Sequence, residues 1–102
     1  MKVALAQLSY IPGDVTYNSR KIISSIKKAK AGGADLIIFS ELAITGYPPL
    51  DLLFKSDTIN SSMSAVMEIA MHCTGIAAVV GGPSPNTGVY GKGLHNSAFF
   101  LH

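Results

Sequence analysis

Apolar and polar positions divide the chain into two kinds of segment. Short runs that are apolar throughout predict strands covered on both faces of a sheet, because a strand with one wet face alternates instead. Such runs occupy residues 3–6, 36–39 and 76–80, within predicted strands at 2–8, 36–39 and 76–80, and a fourth strand is predicted at 94–101. Two segments between them carry apolar residues at the spacing of a helix. These predicted helices cover residues 16–31 and 58–72.

The order of these elements predicts an α/β fold. A Gly- and Pro-rich loop over residues 83–93 joins the last two strands, and a hairpin-like connection favours an antiparallel pair. The sheet is therefore predicted to be mixed. A short helical turn is predicted at residues 51–54, after a segment rich in Gly and Pro.

The first predicted helix carries signals at both ends. Either Asp14 or Thr16 is a suitable N-cap, and Gly32-Gly33 provides the glycine that often ends a helix. Its predicted core face consists of Ile22, Ile23, Ile26 and Ala29. Asn18, near the start of this helix, is predicted to be an exposed polar residue. The predicted core face of the second helix consists of Ile59, Met63, Val66, Met67, Ala70 and Met71.

The composition is unusually apolar for so short a chain. Hydrophobic residues make up 48% of the 102 residues and charged residues 14%, which is too little charge to cover the surface of one small domain. We therefore expect the chain to pack against partners, as a homo-oligomer, or to be a piece of a larger protein. The net charge of +2 comes with lysines concentrated on the first helix, where a solvated helix face explains them better than nucleic-acid binding.

Cysteine content and hydropathy indicate the cellular setting. A single cysteine excludes an internal disulfide framework and a cysteine-based zinc site. The N-terminal apolar stretch is too short and too polar for a signal peptide, and no run approaches the roughly 20 apolar residues of a membrane span. These features predict a reducing cytoplasm and no membrane contact.

Glu41 is the candidate catalytic carboxylate because of its place at the end of a predicted strand. Glu41 follows the second predicted strand and precedes a loop stiffened by Gly46, Pro48 and Pro49. Open α/β sheets bind ligands outside the carboxyl ends of their strands. The apolar neighbours of Glu41 favour desolvation, which would raise its pKa and suit it to general-base work. The alternative is a solvated carboxylate at a strand end.

The surrounding motif is distinctive. Residues 39–53, Phe-Ser-Glu-Leu-Ala-Ile-Thr-Gly-Tyr-Pro-Pro-Leu-Asp-Leu-Leu, resemble the first catalytic motif of the nitrilase, or carbon–nitrogen hydrolase, superfamily. The part from Gly46 onward is similar to the branch that forms the glutaminase domain of glutamine-dependent NAD synthetases. The resemblance covers essentially the whole chain and implies a four-layer α-β-β-α sandwich. Residues 1–102 are then the incomplete N-terminal portion of a single carbon–nitrogen hydrolase domain.

The resemblance also implies a mechanism. Family members use a Cys nucleophile, a Glu general base and a Lys that stabilises the oxyanion. Glu41 matches the general base, and the Lys and Cys motifs are expected beyond residue 102, so the fragment alone is expected to be inactive. The complete enzyme would hydrolyse glutamine and pass ammonia to a synthetase domain that converts deamido-NAD to NAD. ATP and Mg²⁺ are implied for that absent domain, with no cofactor in this fragment. The glutamine-binding residues are not identified.

No catalytic or metal-binding role is predicted for the other candidate residues. Cys73, at the end of the Met-rich helix, is predicted to be structural, and Lys92 precedes the strand after which the family's lysine comes. His95 and His102 lack metal-ligand spacing, so no metal site is predicted. Two other functions stay open: a different amidase or carbamoyl hydrolase of the superfamily, and an interaction module that retains Glu41 only structurally.

Overall fold

The computed structural model describes residues 1–41, 43–46, 56–85 and 94–102. These residues form a single four-stranded sheet in the order β1-β2-β3-β4 and two helices. In chain order the elements are β1 (Val3–Leu5), α1 (Val15–Ala31), β2 (Leu36–Ile38), α2 (Ser56–Met71), β3 (Ala77–Pro85) and β4 (Leu94–Leu101). The predicted helical turn at 51–54 and residues 86–93 of the predicted loop lie outside the described residues.

The sheet is mixed, as predicted. β1 pairs with β2 and β2 with β3 in parallel, each pair joined through a helix, while β3 and β4 are antiparallel. The predicted α/β class is therefore confirmed. β2 is one residue shorter than predicted, and β1 and β3 differ more from the prediction because pairing partners set their lengths. β1 is only as long as its parallel register with β2, and β3 continues to Pro85 because β4 pairs with it that far.

Helix α1 agrees closely with its prediction. The Asp14 side chain is the N-cap and accepts a hydrogen bond from the Tyr17 N–H at 3.0 Å. Ile22 and Ile26 are fully buried, and the Gly32 N–H bonds back to the Lys28 carbonyl. The cap, the apolar stripe and the terminal glycine are all local signals, which explains why the sequence predicts this helix well.

The predicted core face of helix α2 is partly wrong. Met67 and Met71 are 70% and 79% exposed. The buried residues follow another stripe, at helical spacing, of Ser62, Ala65, Val66 and Ile69. Apolar residues occur all around this helix, so periodicity alone does not determine which side faces the sheet.

The two faces of the sheet differ. On one face Ile37, Ala78 and Val80 form a core cluster with the buried residues of both helices. On the other face Leu5 and Phe100 are 75% and 62% exposed. Among the described residues, the helices therefore cover one face of the sheet and leave the other open, so cover on both faces stays a prediction for the larger domain. Within the described part of the chain, no helix has the length and apolar character needed to cross a membrane.

Candidate active site

Glu41 lies just beyond the carboxyl end of β2. The Phe39 N–H still bonds to the Val79 carbonyl at 2.9 Å, and the chain then leaves the sheet. Phe39 is buried, whereas Ser40 and Glu41 are exposed. The expectation of a desolvated Glu41 is therefore wrong for this structure, because Phe39 and Ile44 turn into the core and leave the carboxylate at the surface. Its role as a general base stays a prediction.

The residues after Glu41 form a turn that is anchored on both sides. Within this motif turn (residues 43–46), Ala43, Ile44 and Thr45 are fully buried. The Ile44 N–H donates to the Gly81 carbonyl of β3 at 3.2 Å. The Thr45 carbonyl accepts a hydrogen bond of 2.7 Å from the N–H of Gly13. The motif turn is thus bound to β3 and to the support loop (residues 9–14) that joins β1 to α1.

Two glycines allow the close packing around this turn. Gly46 has a φ of +67°, and a Cβ there would lie 3.1 Å from the Cα of Pro12. A Cβ on Gly82 would lie 2.9 Å from the Cδ1 of Ile44. The Gly81-Gly82 pair lies within β3 beneath the motif turn. Gly82 therefore allows Ile44 to pack directly against β3.

Asn18 connects the support loop to the motif turn. Its side chain is fully buried, so the predicted exposure is wrong. The Asn18 Oδ1 accepts from the Ile11 N–H at 2.8 Å, and its Nδ2 donates to the carbonyls of Ile11 and Ile44 at 2.9 and 3.1 Å. One sequence signal was available. Asn18 lies four residues before Ile22 and eight before Ile26, which places it on the core face of α1.

Tyr10 of the support loop reaches the segment just before Glu41. Its hydroxyl oxygen is buried and lies near the Ser40 side chain, but this contact does not have the geometry of a hydrogen bond, and the oxygen has no other partner among the described residues. Burial raises the pKa of Tyr10, and the neighbouring Ser40 side chain offsets part of that rise. No sequence pattern indicated this residue.

Cys73 lies far from Glu41 along the strands. It precedes the start of β3, whereas Glu41 follows the end of β2, and these strands are parallel, so the two residues occupy opposite ends of the sheet. Cys73 is buried, its Sγ donates to the Ile69 carbonyl at 3.5 Å, and burial raises the pKa of the thiol. These features suit a structural thiol and disfavour a thiolate nucleophile.

The structure describes the side chain of one of the three remaining candidates, His102. Lys92 and the His95 side chain lie outside the described residues, and His102 is exposed with its ring 5.5 Å from that of Phe100. The described ranges contain no group of three or more His, Cys, Asp or Glu residues able to hold a metal ion. An open groove between the helices is lined by Thr16, Ser19, Arg20, Ser64 and Glu68, among others. It does not include Glu41 or the motif turn.

Comparison with known proteins identifies the family. The profile of the carbon–nitrogen hydrolase family matches residues 2–102. The chain belongs to the carbon–nitrogen hydrolase family. Among curated relatives of this family member, the glutamine-dependent NAD(+) synthetase of Xanthomonas campestris pv. campestris (strain 8004) is 42% identical over 102 residues. That alignment spans 99% of this chain and 18% of the relative.

Solved structures agree with this family assignment. The glutamine-dependent NAD(+) synthetase of Cytophaga hutchinsonii superimposes with a TM-score of 0.87 at 26% identity, over 97% of this chain and 16% of that one. An amidase from Nesterenkonia sp. superimposes with a TM-score of 0.71 at 28% identity, over 84% of this chain and 33% of that one. This carbon–nitrogen hydrolase chain thus spans less than a fifth of the length of these synthetases. The predicted resemblance to the synthetase branch is confirmed.

Proposed function

We propose that residues 1–102 are the N-terminal portion of a glutaminase domain and that Glu41 is its general base. The observation that carries the proposal is the placement of Glu41. Its exposed carboxylate stands at the carboxyl edge of a parallel pair of strands, on a segment followed by a buried, hydrogen-bonded turn. Such an edge is where α/β sheets bind ligands, and rigid support is what a catalytic group requires.

The proposed mechanism needs two further groups from sequence beyond residue 102. Glu41 takes the proton of a cysteine thiol, the thiolate attacks the amide carbon of glutamine, and a lysine stabilises the oxyanion. The protonated Glu41 returns this proton to the amide nitrogen, so that the C–N bond breaks and ammonia leaves. Glu41 then takes a proton from water, which hydrolyses the thioester to release glutamate and restore the cysteine. The Nesterenkonia amidase has an active-site cysteine, which supports a cysteine nucleophile in this family.

In the complete protein, the ammonia would serve the ATP-dependent amidation of deamido-NAD to NAD. The names of the relatives, glutamine-dependent NAD(+) synthetases, support this assignment. ATP and Mg²⁺ would bind to the synthetase domain. We further propose a cytoplasmic, homo-oligomeric enzyme.

The direct test is glutamate release by the natural polypeptide that carries residues 1–102. Glu41→Gln removes the base and is expected to lower kcat by roughly 100-fold or more. Glu68→Gln makes the same chemical change at an exposed position on α2 and is expected to keep the parent rate. Equal rates for the Glu41 variant and the parent would refute the general-base role.

The 102-residue chain alone provides a second test. It is expected to release no glutamate, because the cysteine and lysine partners are missing. Turnover that survives Cys73→Ala but disappears with Glu41→Ala would contradict this expectation, since it would show that the short chain contains a complete site.

The structural match to the Nesterenkonia amidase favours one alternative, an amidase that acts on another amide. Substrate preference distinguishes a glutaminase from an amidase that acts on another amide. A glutaminase releases ammonia fastest from glutamine, whereas an amidase of the other kind prefers a simple aliphatic amide such as propionamide. A kcat/KM higher for propionamide than for glutamine would support the alternative.

A further inference from the structure

The support loop touches the chain on both sides of Glu41. Before Glu41, the Tyr10 hydroxyl lies near the Ser40 side chain. After Glu41, the Gly13 N–H donates to the Thr45 carbonyl. Pro12 also packs against Gly46 so closely that a Cβ on Gly46 would lie 3.1 Å from the Pro12 Cα. The position of Glu41 therefore depends on where the support loop lies.

Asn18 determines where the support loop lies. Its amide holds the backbone of Ile11 by two hydrogen bonds, one to the N–H and one to the carbonyl. The second N–H of the same amide donates to the Ile44 carbonyl of the motif turn at 3.1 Å. One side chain thus ties the loop and the turn to each other, and both Nδ2 hydrogens are used.

Asn18 itself is held by a rigid element. It lies in α1, a helix of 17 residues whose next turns bury Ile22 and Ile26 completely. Because Asn18 is anchored in α1 and bonds to Ile44, it fixes the turn that follows Glu41 relative to the helix. Catalytic groups need support of this kind, because a displacement of about 1 Å can cost roughly 100-fold in rate.

We propose that Asn18 is a positioning residue for Glu41. It does not touch the substrate; it holds the motif turn so that the carboxylate stands at the productive place on the edge of the sheet. This inference rests on the proposed function, because positioning has a consequence only where Glu41 acts as a base.

The test uses the natural polypeptide that carries residues 1–102, with two variants and a matched control. Asn18→Asp nearly preserves the shape and the acceptor atom but removes both N–H donors, and Asn18→Ala removes the whole amide. Asn60→Asp makes the same chemical change at an exposed position of α2. For each protein, kcat and KM for glutamine are measured together with amide hydrogen exchange of the motif turn and of α1.

For both Asn18 variants we expect faster exchange at the Ile44 amide and a kcat reduced by about 10- to 100-fold, with KM changed far less. Protection within α1 stays, and the control behaves as the parent. Unchanged exchange at Ile44, or an unchanged kcat, in a folded Asn18→Asp variant would overturn the proposal. If Asn18→Ala does not fold, the Asp variant decides.

A second measurement separates positioning from a loss of folded protein. In a Glu41→Gln background, Asn18→Asp is expected to reduce the residual rate little, because the group it positions is already gone. The same fold reduction in both backgrounds would overturn the proposal. If the parent hydrolyses no glutamine, the proposed function fails and positioning of a base fails with it. The exchange data then show separately whether Asn18 holds the turn.

Discussion

At the scale of single residues, the described part of the chain contains buried polar groups that have hydrogen-bond partners and one, the Tyr10 hydroxyl, that has none. Asn18 is fully buried and bonds to three backbone groups. Tyr10 places a buried hydroxyl oxygen beside Ser40 without a hydrogen bond. An unpaired buried polar group costs about 1–3 kcal/mol, whereas a paired one makes a modest net contribution. The two side chains therefore have opposite expected effects when their polar atoms are removed.

Removing the Tyr10 hydroxyl tests this difference. Tyr10→Phe deletes the unpaired oxygen and keeps the ring, so we expect the free energy of unfolding to stay the same or to rise by up to about 1 kcal/mol. Urea denaturation measures the change. Tyr17→Phe, at an exposed ring that Lys21 Nζ approaches at 5.4 Å, is the matched control and is expected to change little. A loss above about 1 kcal/mol for Tyr10→Phe would show that the hydroxyl has a partner.

Burial of Cys73 predicts a pH dependence of stability. Burial raises the pKa of this thiol in the folded chain, so the unfolded chain loses the thiol proton at a lower pH than the folded chain does. The stabilisation from this group is complete below the unfolded-state pKa, about 8.5. It is lost as the pH rises from there through the folded-state pKa, because the unfolded state then binds fewer protons.

The measurement compares the parent with Cys73→Ala by urea denaturation at about pH 7.5 and about pH 9.5. The parent is expected to lose more stability than the variant over this interval. Equal losses would contradict a buried thiol. Alkylation of Cys73 in the parent, slow without urea and fast with it, provides an independent check.

At the scale of elements, backbone hydrogen bonds to neighbouring segments hold the motif turn, which is not itself part of a helix or strand. It bonds to β3 through Gly81 and to the support loop through Gly13. Three segments distant in sequence therefore meet at this turn, and each limits the others. A change in the backbone of the motif turn should cost more than the same change at a free helix end.

Two glycines with positive φ make this comparison possible. Gly46 has a φ of +67° and contacts Pro12, whereas Gly33, after α1, has a φ of +84° and open space around its Cα. Gly33→Ala should cost only the strain of the backbone conformation, about 1–2 kcal/mol. Gly46→Ala should cost that amount plus about 1–3 kcal/mol for overpacking against the Pro12 backbone. Thermal and urea unfolding of the two variants measure the difference, and equal losses would argue against the close contact.

At the scale of the whole molecule, the helices cover one face of the sheet and the described residues leave the other face open. Val3, Leu5 and Phe100 are exposed apolar residues of that open face. Large exposed apolar surfaces and free sheet edges promote association. We therefore expect the 102-residue chain to form oligomers in solution.

Association through the open face is tested with one substitution on each side of the molecule. Phe100→Gln is expected to lower the average mass measured by light scattering or sedimentation, because Phe100 is 62% exposed on the open face. Met71→Gln, which is 79% exposed on α2, is the control and should leave the mass unchanged. A stable, monodisperse monomer of the parent chain would count against the expectation.

The elements of this chain differ in how far local sequence specifies them, for physical reasons. Helix α1 was predicted closely because its cap, stripe and terminal glycine act within a few residues. The exposed side of α2 was mispredicted, since an evenly apolar helix gives no directional signal and Met67 and Met71 depend on what packs nearby. The exposure of Glu41 was also mispredicted, because apolar neighbours in sequence bury a carboxylate only if they lie around it in space.

The sequence by itself determined the α/β class, the mixed sheet, the family and the place of Glu41 at the end of a strand. These follow from local periodicity and from a continuous motif. Only the tertiary structure decided that Asn18 is buried, that the support loop holds the motif turn, and that Cys73 lies at the opposite end of the sheet from Glu41. Each of these depends on contacts between distant segments, such as the hydrogen bond between Asn18 and Ile44, which are 26 positions apart, and local patterns carry no information about them.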